Sequence, residues 1–211
     1  MRVLCFVGES GSGKTSLIER IVSRLPLDGD NVGLLKHTHH HLSWHPPGKD
    51  STRFWHLGVG SVVVADSRQL ACFHRAAGST PAVLAELAQR GEAPADDGQP
   101  TAGSTQRLVA ARKLFPNDVK LVLAEGYWSA IAPKLWLAVD ARHCEKQRAP
   151  PGTKAIVVRG QLTQRRAREV VRFPVFLDDD APTLAERVWD WAVSVDSLTV
   201  EWTNEPVTRA R

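Results

Sequence analysis

The chain has 211 residues, 43% of them hydrophobic and 24% charged, which fits a globular protein large enough for one α/β domain with a full core. A formal net charge of +4 suits anionic small ligands and, with no basic block, argues against nucleic acid as a partner. No apolar run approaches the roughly 20 residues that span a bilayer, and Cys5, Cys72 and Cys144 are odd in number and widely spaced, as in a reducing cytoplasm.

Val3-Leu4-Cys5-Phe6-Val7 is an unbroken apolar run, the pattern of a strand buried on both faces. It begins at once, so no signal peptide is expected. Gly8-Glu9-Ser10-Gly11-Ser12-Gly13-Lys14-Thr15 follows and reads G-x-x-x-x-G-K-T, the phosphate-binding P-loop pattern. After it, Leu17, Ile18, Ile21, Val22 and Leu25 recur at helical spacing, with a stop expected near Pro26. Strand, glycine turn and helix are the setting this chemistry requires. The glycines let backbone N–H groups turn toward an anion, and the helix N-terminus adds partial positive charge. Residues Gly8 to Ser16 are therefore candidate nucleotide-binding residues. Lys14 is expected on the β- and γ-phosphates, and the Thr15 hydroxyl on Mg²⁺.

Val32-Gly33-Leu34-Leu35 predicts a second buried strand that delivers Lys36 and His37 at its C-terminal end, where ligands gather in open parallel sheets. Five of the eight histidines then fall between His37 and His45, before Pro47-Gly48-Lys49-Asp50-Ser51. Such a run can be a metal site, a polar loop facing phosphate, or a solvated basic loop. Adjacent histidines point in different directions and no cysteine joins them, which favours the phosphate-facing loop, with Lys36, Lys49 and Arg53 offsetting anionic charge. Asp50 or Ser51 is placed to cap a helix running to Gly58.

Val62-Val63-Val64-Ala65 and Leu70-Ala71-Cys72-Phe73 predict two more strands, and Thr80-Pro81 a helix start whose helix ends at Gly91. Residues 92 to about 104 are rich in Pro, Gly and small polar side chains and read as a mobile surface loop. Leu108, Val109, Leu114 and Phe115 indicate a short helix. The segment from Val119 to Tyr127 is an apolar strand that ends in an acid, the Walker B arrangement, so Glu125 is expected at the metal or beside an attacking water. Leu135 to Val139, Ala155 to Val158 and Pro174 to Leu177 complete the strands. Leu184, Val188, Trp191 and Val195 mark a helix from Thr183. The expected architecture is α/β and P-loop NTPase-like, a mostly parallel central sheet flanked by helices. It forms a single nucleotide-binding domain over residues 1–196, with a tail at 197–211 in which Leu198 to Trp202 could add an edge strand.

The P-loop, Lys36-His37-Thr38-His39-His40, Pro47-Gly48-Lys49-Asp50-Ser51, Gly58 to Ala65, Leu123 to Tyr127 and Pro133-Lys134 together resemble the MobB family, the molybdopterin-guanine dinucleotide biosynthesis adaptor proteins. The resemblance covers roughly residues 1 to 140, with a weaker echo from Leu177 to Val195. It implies a cytoplasmic, homodimeric GTP-binding protein of molybdenum cofactor biosynthesis with Mg²⁺ and weak GTPase activity at most. The implied partner is a MobA-type guanylyltransferase, with molybdopterin and molybdoenzyme apoproteins as further candidates. Carried over, Gly8, Gly13, Lys14 and Thr15 bind phosphate, Lys36, His37 and Asp50 line the same mouth, and Glu125 takes the Walker B position. The chain lacks an N-K-x-D guanine-reading motif, so guanine preference rests on the resemblance. Leu42-Ser43-Trp44-His45 stands where family members often carry an acid.

Two rival readings use the same residues. A P-loop small-molecule kinase would use Asp50 or Glu125 as base and Lys49 or Arg53 to clamp an acceptor. A metal-delivery GTPase would use His37 to His45 as a transient metal site.

Overall fold

The computed structural model describes residues 1–37, 50–65, 70–75, 102–146 and 149–199. The strands are β1 (Arg2–Gly8), β2 (Val32–His37), β3 (Ser61–Ala65), β4 (Leu70–His74), β5 (Leu121–Glu125), β6 (Lys134–Leu137), β7 (Thr153–Val158), β8 (Val175–Leu177) and β9 (Val193–Ser194). The helices are α1 (Lys14–Val22), α2 (Asp50–His56), α3 (Ala102–Ala110), α4 (Ala141–Lys146), α5 (Gln161–Val170) and α6 (Ala181–Trp191). The sheet runs β4-β3-β2-β5-β1-β6-β7-β8. The β3–β4 pair is antiparallel, and every other pair along that path is parallel. Short β9 lies antiparallel to Arg2 and Val3, on the half of β1 that β6 does not reach.

The strand sequences explain the layering. In β1, Val3, Cys5 and Val7 point to one face and Leu4 and Phe6 to the other, and all five are buried. A parallel strand apolar on both sides needs helices on both faces. Leu17, Ile18 and Ile21 of α1, with Leu184 and Val188 of α6, cover the Leu4/Phe6 face. Leu108 of α3, Ala167 of α5, Val195 and Leu198 cover the other. Gly33 sits in β2 because any side chain there would meet the Phe115 ring. The mostly parallel, helix-flanked α/β sheet is thus the architecture the apolar runs require.

Several boundaries differ from the sequence expectations. Helix α1 ends at Val22, ahead of Pro26, because Ser23 caps it through its backbone N–H to Glu19 O. Helix α2 stops at His56, and Gly58 (φ +78°) carries the chain on toward β3. Ala102 already begins α3, so residues 102–104 are helical and not loop. Helix α6 ends at Trp191, because β9 captures Val193 and Ser194, and Val195–Thr199 closes as a 3₁₀ turn where an edge strand was expected to begin. Helix α5 has no counterpart in the apolar periodicity: Gln161 to Val170 is mostly polar, with Ala167 its buried contact. The Thr80–Gly91 helix, the loop at 92–101 and the tail beyond 199 lie outside the described residues.

Candidate functional site

The C-terminal ends of β1, β2, β5 and β7 open into one cleft of about 550 Å³. Gly8, Ser10, Gly11, Gly13, Lys14, Thr15 and Ser16 line it, with Lys36, His37, Arg53, Glu125 and Arg159 among the other walls. The glycine turn is left-handed at Gly11 (φ +77°) and Gly13 (φ +92°). A Cβ on Gly8 would strike the Leu137 carbonyl, and one on Gly13 would strike the Arg159 guanidinium. Only glycine leaves room for the turn, and its concavity is open to an anion. Helix α1 starts at Lys14, so its unpaired N–H groups point into the same space.

Two of the expected loop residues serve the turn itself. The Glu9 carbonyl accepts from the Ser12 N–H at 3.1 Å and from Lys14 Nζ at 2.7 Å. The Ser12 hydroxyl is buried, with no hydrogen-bond partner among the described residues. Lys14 also donates to the Gly8 carbonyl at 3.0 Å. Its ammonium therefore rests on the rim of the cradle it would serve.

Opposite the turn, the parallel register places Lys36 and Phe6 beside Glu125 on adjacent strands. The Thr15 hydroxyl donates to Glu125 Oε2 at 2.8 Å, and Lys36 Nζ lies 3.1 Å from Oε1. Both members of the ion pair are nearly enclosed, 12% and 8% exposed at the side chain. A pair that shielded keeps much of its Coulomb attraction, and each charge depends on the other for compensation. Thr15 and Glu125 are hard oxygen donors, a set that fits Mg²⁺, which takes one or two protein oxygens and the rest from phosphate and water. No group of three or more His, Cys, Asp or Glu among the described residues could hold a metal by itself.

The turn after β5 is sharp. Gly126 has φ +99° and Tyr127, exceptionally for a residue with a Cβ, φ +64°. The left-handed tyrosine costs roughly 1–2 kcal/mol. It is held by burial, by the His37 ring 5.7 Å away, and by the turn it belongs to, in which the Ala130 N–H donates to the Tyr127 carbonyl at 3.2 Å. Burial pushes the Tyr127 phenol well above its ordinary pKa. On the α2 side, Arg53 pairs with Glu19 at 2.6 Å and reaches Ser16 Oγ at 3.3 Å, tying that helix to the first turn of α1.

The structure thus brings together Gly8, Ser10, Gly11, Gly13, Lys14, Thr15, Ser16, Lys36, His37 and Glu125. Thr38, Lys49 and the histidines from 39 to 45 lie outside the described residues, and Asp50 is placed only as the first residue of α2. Sequence reasoning passed over Arg159, Trp128 and the role of Lys134. Arg159 had a legible signal: it follows Ile156-Val157-Val158 directly, at a strand's C-terminal end and before a glycine.

The chain is similar to known proteins. Residues 3–97 match the family described as Molybdopterin guanine dinucleotide synthesis protein B. The Escherichia coli (strain K12) molybdopterin-guanine dinucleotide biosynthesis adapter protein is 38% identical over 69 residues, 33% of this chain and 39% of that protein. The match therefore spans well under half the length of that relative. The Haemophilus influenzae adapter protein is 29% identical over 150 residues, 70% of this chain and 83% of that protein. Among solved structures, Bacillus subtilis MobB superposes with a TM-score of 0.48 at 22% identity, covering 92% of this chain and 99% of that one.

Proposed function

We propose that the chain, whose residues 3–97 match the MobB family and which resembles its adapter proteins, is a member of that family and a cytoplasmic GTP-binding accessory protein in the assembly of molybdopterin guanine dinucleotide. On this reading it works as a homodimer beside a MobA-type guanylyltransferase, with Mg²⁺ as the metal of its nucleotide. The observation that carries the proposal is the Thr15–Glu125–Lys36 chain, held at 2.8 and 3.1 Å across the mouth of the glycine turn. A turn alone binds an anion. A turn facing a hydroxyl, a carboxylate and a lysine is equipped for a nucleoside triphosphate with its metal. No helix among the described residues is long and apolar enough to cross a membrane.

The chain's own groups divide the work. Backbone amides of the turn and the α1 N-terminus orient the polyphosphate. Lys14 leaves the Gly8 and Glu9 carbonyls to meet phosphate oxygens, and Lys36 keeps the Glu125 carboxylate in place. Mg²⁺, when bound at Thr15 and Glu125, neutralises charge on the terminal phosphates. Both Glu125 oxygens already accept, one from Thr15 and one from Lys36. With Mg²⁺ on a remaining lone pair, the carboxylate would serve the metal and not take a proton from water, which supports slow hydrolysis and a binding role over a catalytic one.

Isothermal titration with GTP, ATP and Mg²⁺ tests the reading. GTP is expected to bind in preference to ATP, and Lys14→Ala to lose affinity while keeping its fold, because the lysine donates to the loop carbonyls of Gly8 and Glu9 at the rim of the cleft. Absence of GTP binding by the unaltered chain, or unchanged affinity in Lys14→Ala, refutes it. Co-purification with the guanylyltransferase tests the partner separately.

A further inference from the structure

The cleft is polarised. Thr15, Glu125 and Lys36 stand on its β5/β2 side. Arg159 enters from the end of β7, on the far side of β1 and β6. Three strand intervals separate β5 from β7, about 14 Å at the usual spacing. Thr15 and Glu125 would hold a magnesium ion, which would supply charge neutralisation at the terminal phosphates of a bound nucleotide. On that reading Thr15 and Glu125 would stand at the terminal phosphates, which leaves the β6/β7 side of the turn, where the Arg159 guanidinium reaches back over Gly13, for the rest of the molecule.

Arg159 is built to meet it. Its Nη2 lies against the Cα of Gly13, where a methyl group would collide with it. Its Nε is tethered 3.3 Å from Asp178 Oδ2, just beyond β8. The same carboxylate oxygen takes Arg20 at 3.4 Å. One carboxylate oxygen is thus shared by two arginines. The Arg159 side chain is 58% exposed, so it has not been sealed into a structural ion pair. An arginine held at Nε keeps its planar face and its terminal N–H fork for another group.

We propose that Arg159, positioned by Asp178, is the contact for the sugar–base half of the bound nucleotide, and so a specificity-determining residue. The proposal rests on the nucleotide-binding reading above. It gives the chain a means of holding a purine nucleoside without an N-K-x-D motif: the guanidinium plane stacks on the base or its fork donates to ring and sugar oxygens.

Inorganic triphosphate separates the two halves of the ligand. Titrations with GTP and with triphosphate, both with Mg²⁺, are made on the unaltered chain, Arg159→Ala, Arg159→Lys and Lys14→Ala. Arg159→Ala is expected to weaken GTP about tenfold or more, the loss of charge-assisted or stacking contact, and to leave triphosphate within about twofold. Arg159→Lys should recover little of the loss, since a point charge replaces a plane. Lys14→Ala should weaken both ligands. Asp178→Asn, which frees the tether, should weaken GTP less than Arg159→Ala does. Unchanged GTP affinity in Arg159→Ala, or an equal loss for GTP and triphosphate, overturns the proposal while leaving the nucleotide reading intact. Failure of the unaltered chain to bind either ligand overturns both.

Discussion

Lys134 offers the sharpest test of how the fold supports the site. It is fully enclosed, at 0% exposure, at the start of β6. Its ammonium donates to the carbonyls of Ala130, Ala132 (3.1 Å) and Pro151 (2.8 Å). Two of these belong to the loop from Gly126 to Pro133, whose first residues carry the strained turn after Glu125. Lys134→Met keeps most of the apolar stem and deletes the charge, so packing loss is small. Each carbonyl stripped of a charged donor costs about 1–3 kcal/mol. Relief of the ammonium's own desolvation returns part of the total. A net loss of about 3 kcal/mol is expected, a large share of a typical 5–15 kcal/mol stability. Urea unfolding should show a lower midpoint with an unchanged m-value. Nucleotide affinity should fall as well, because Gly126, Tyr127 and Trp128 line the cleft. A loss below about 1 kcal/mol with unaltered m would show that these carbonyls do not depend on the ammonium, and the reasoning would fail.

Other outcomes follow from the same geometry. Gly13→Ala must adopt φ +92° and displace Arg159; it should cost about 1–2 kcal/mol in thermal or urea unfolding and abolish nucleotide binding in titration. Glu125→Gln removes the carboxylate charge that faces the nearly buried Lys36 ammonium at 3.1 Å and should cost about 1–3 kcal/mol in urea unfolding; calorimetry should also show nucleotide affinity that no longer responds to Mg²⁺. Burial pushes the Cys5 and Cys72 thiols up to about 11, and Cys144 likewise, from 9.0. In the folded protein each thiol holds its proton more tightly than in the unfolded chain, so stability is full below pH 9 and declines as pH rises toward 11. Urea midpoints across that window, with iodoacetamide labelling that is slow at neutral pH, check this. Desolvation lowers the His74 pKa from 6.5, with Asp118 acting in the opposite direction. The folded form therefore resists protonation there, and the contribution to stability, present above pH 6.5, is lost below it; NMR titration of His74 should show the lowered value.

What was legible in the sequence was what repeats or what is chemically unusual. The apolar runs of β1, β2, β3, β5 and β7 announce buried strands because both faces are covered. The glycine–lysine–threonine turn is legible because few other uses need that spacing. Glu125 is legible because an acid at the end of an otherwise apolar strand needs a partner. Helix α5 was not, since Gln161–Val170 is mostly polar and, among its described side chains, Ala167 is the buried one, too little to announce a helix. Lys134 could not be read as buried, because a lysine's burial depends on carbonyls that only the folded loop assembles. Arg159 was hidden for a related reason: its place over Gly13 follows from strand order β1-β6-β7, which local pattern does not contain.

The site's polar groups are spent on one another. Lys14 sits on Gly8 and Glu9 carbonyls, Thr15 on Glu125, Glu125 on Lys36, and Arg53 on Glu19 and Ser16. These side chains are engaged with one another, while the N–H groups at the start of α1 and the buried Ser12 hydroxyl have no such partner among the described residues. On the proposed reading, binding exchanges the side-chain hydrogen bonds, adds those to the amides and draws on the charge of the incoming polyphosphate. A ligand with less negative charge cannot repay the release of Lys14. A metal cannot take the Thr15 oxygen without redirecting a hydroxyl that now points at Glu125. Phosphate at the turn and metal at Thr15 make each other's exchange easier, since phosphate draws Lys14 and supplies oxygens to the metal. Coupling between the two is reciprocal by necessity, so on the proposed reading triphosphate should bind more tightly with the metal than without it, and titrations of triphosphate with and without Mg²⁺ check this.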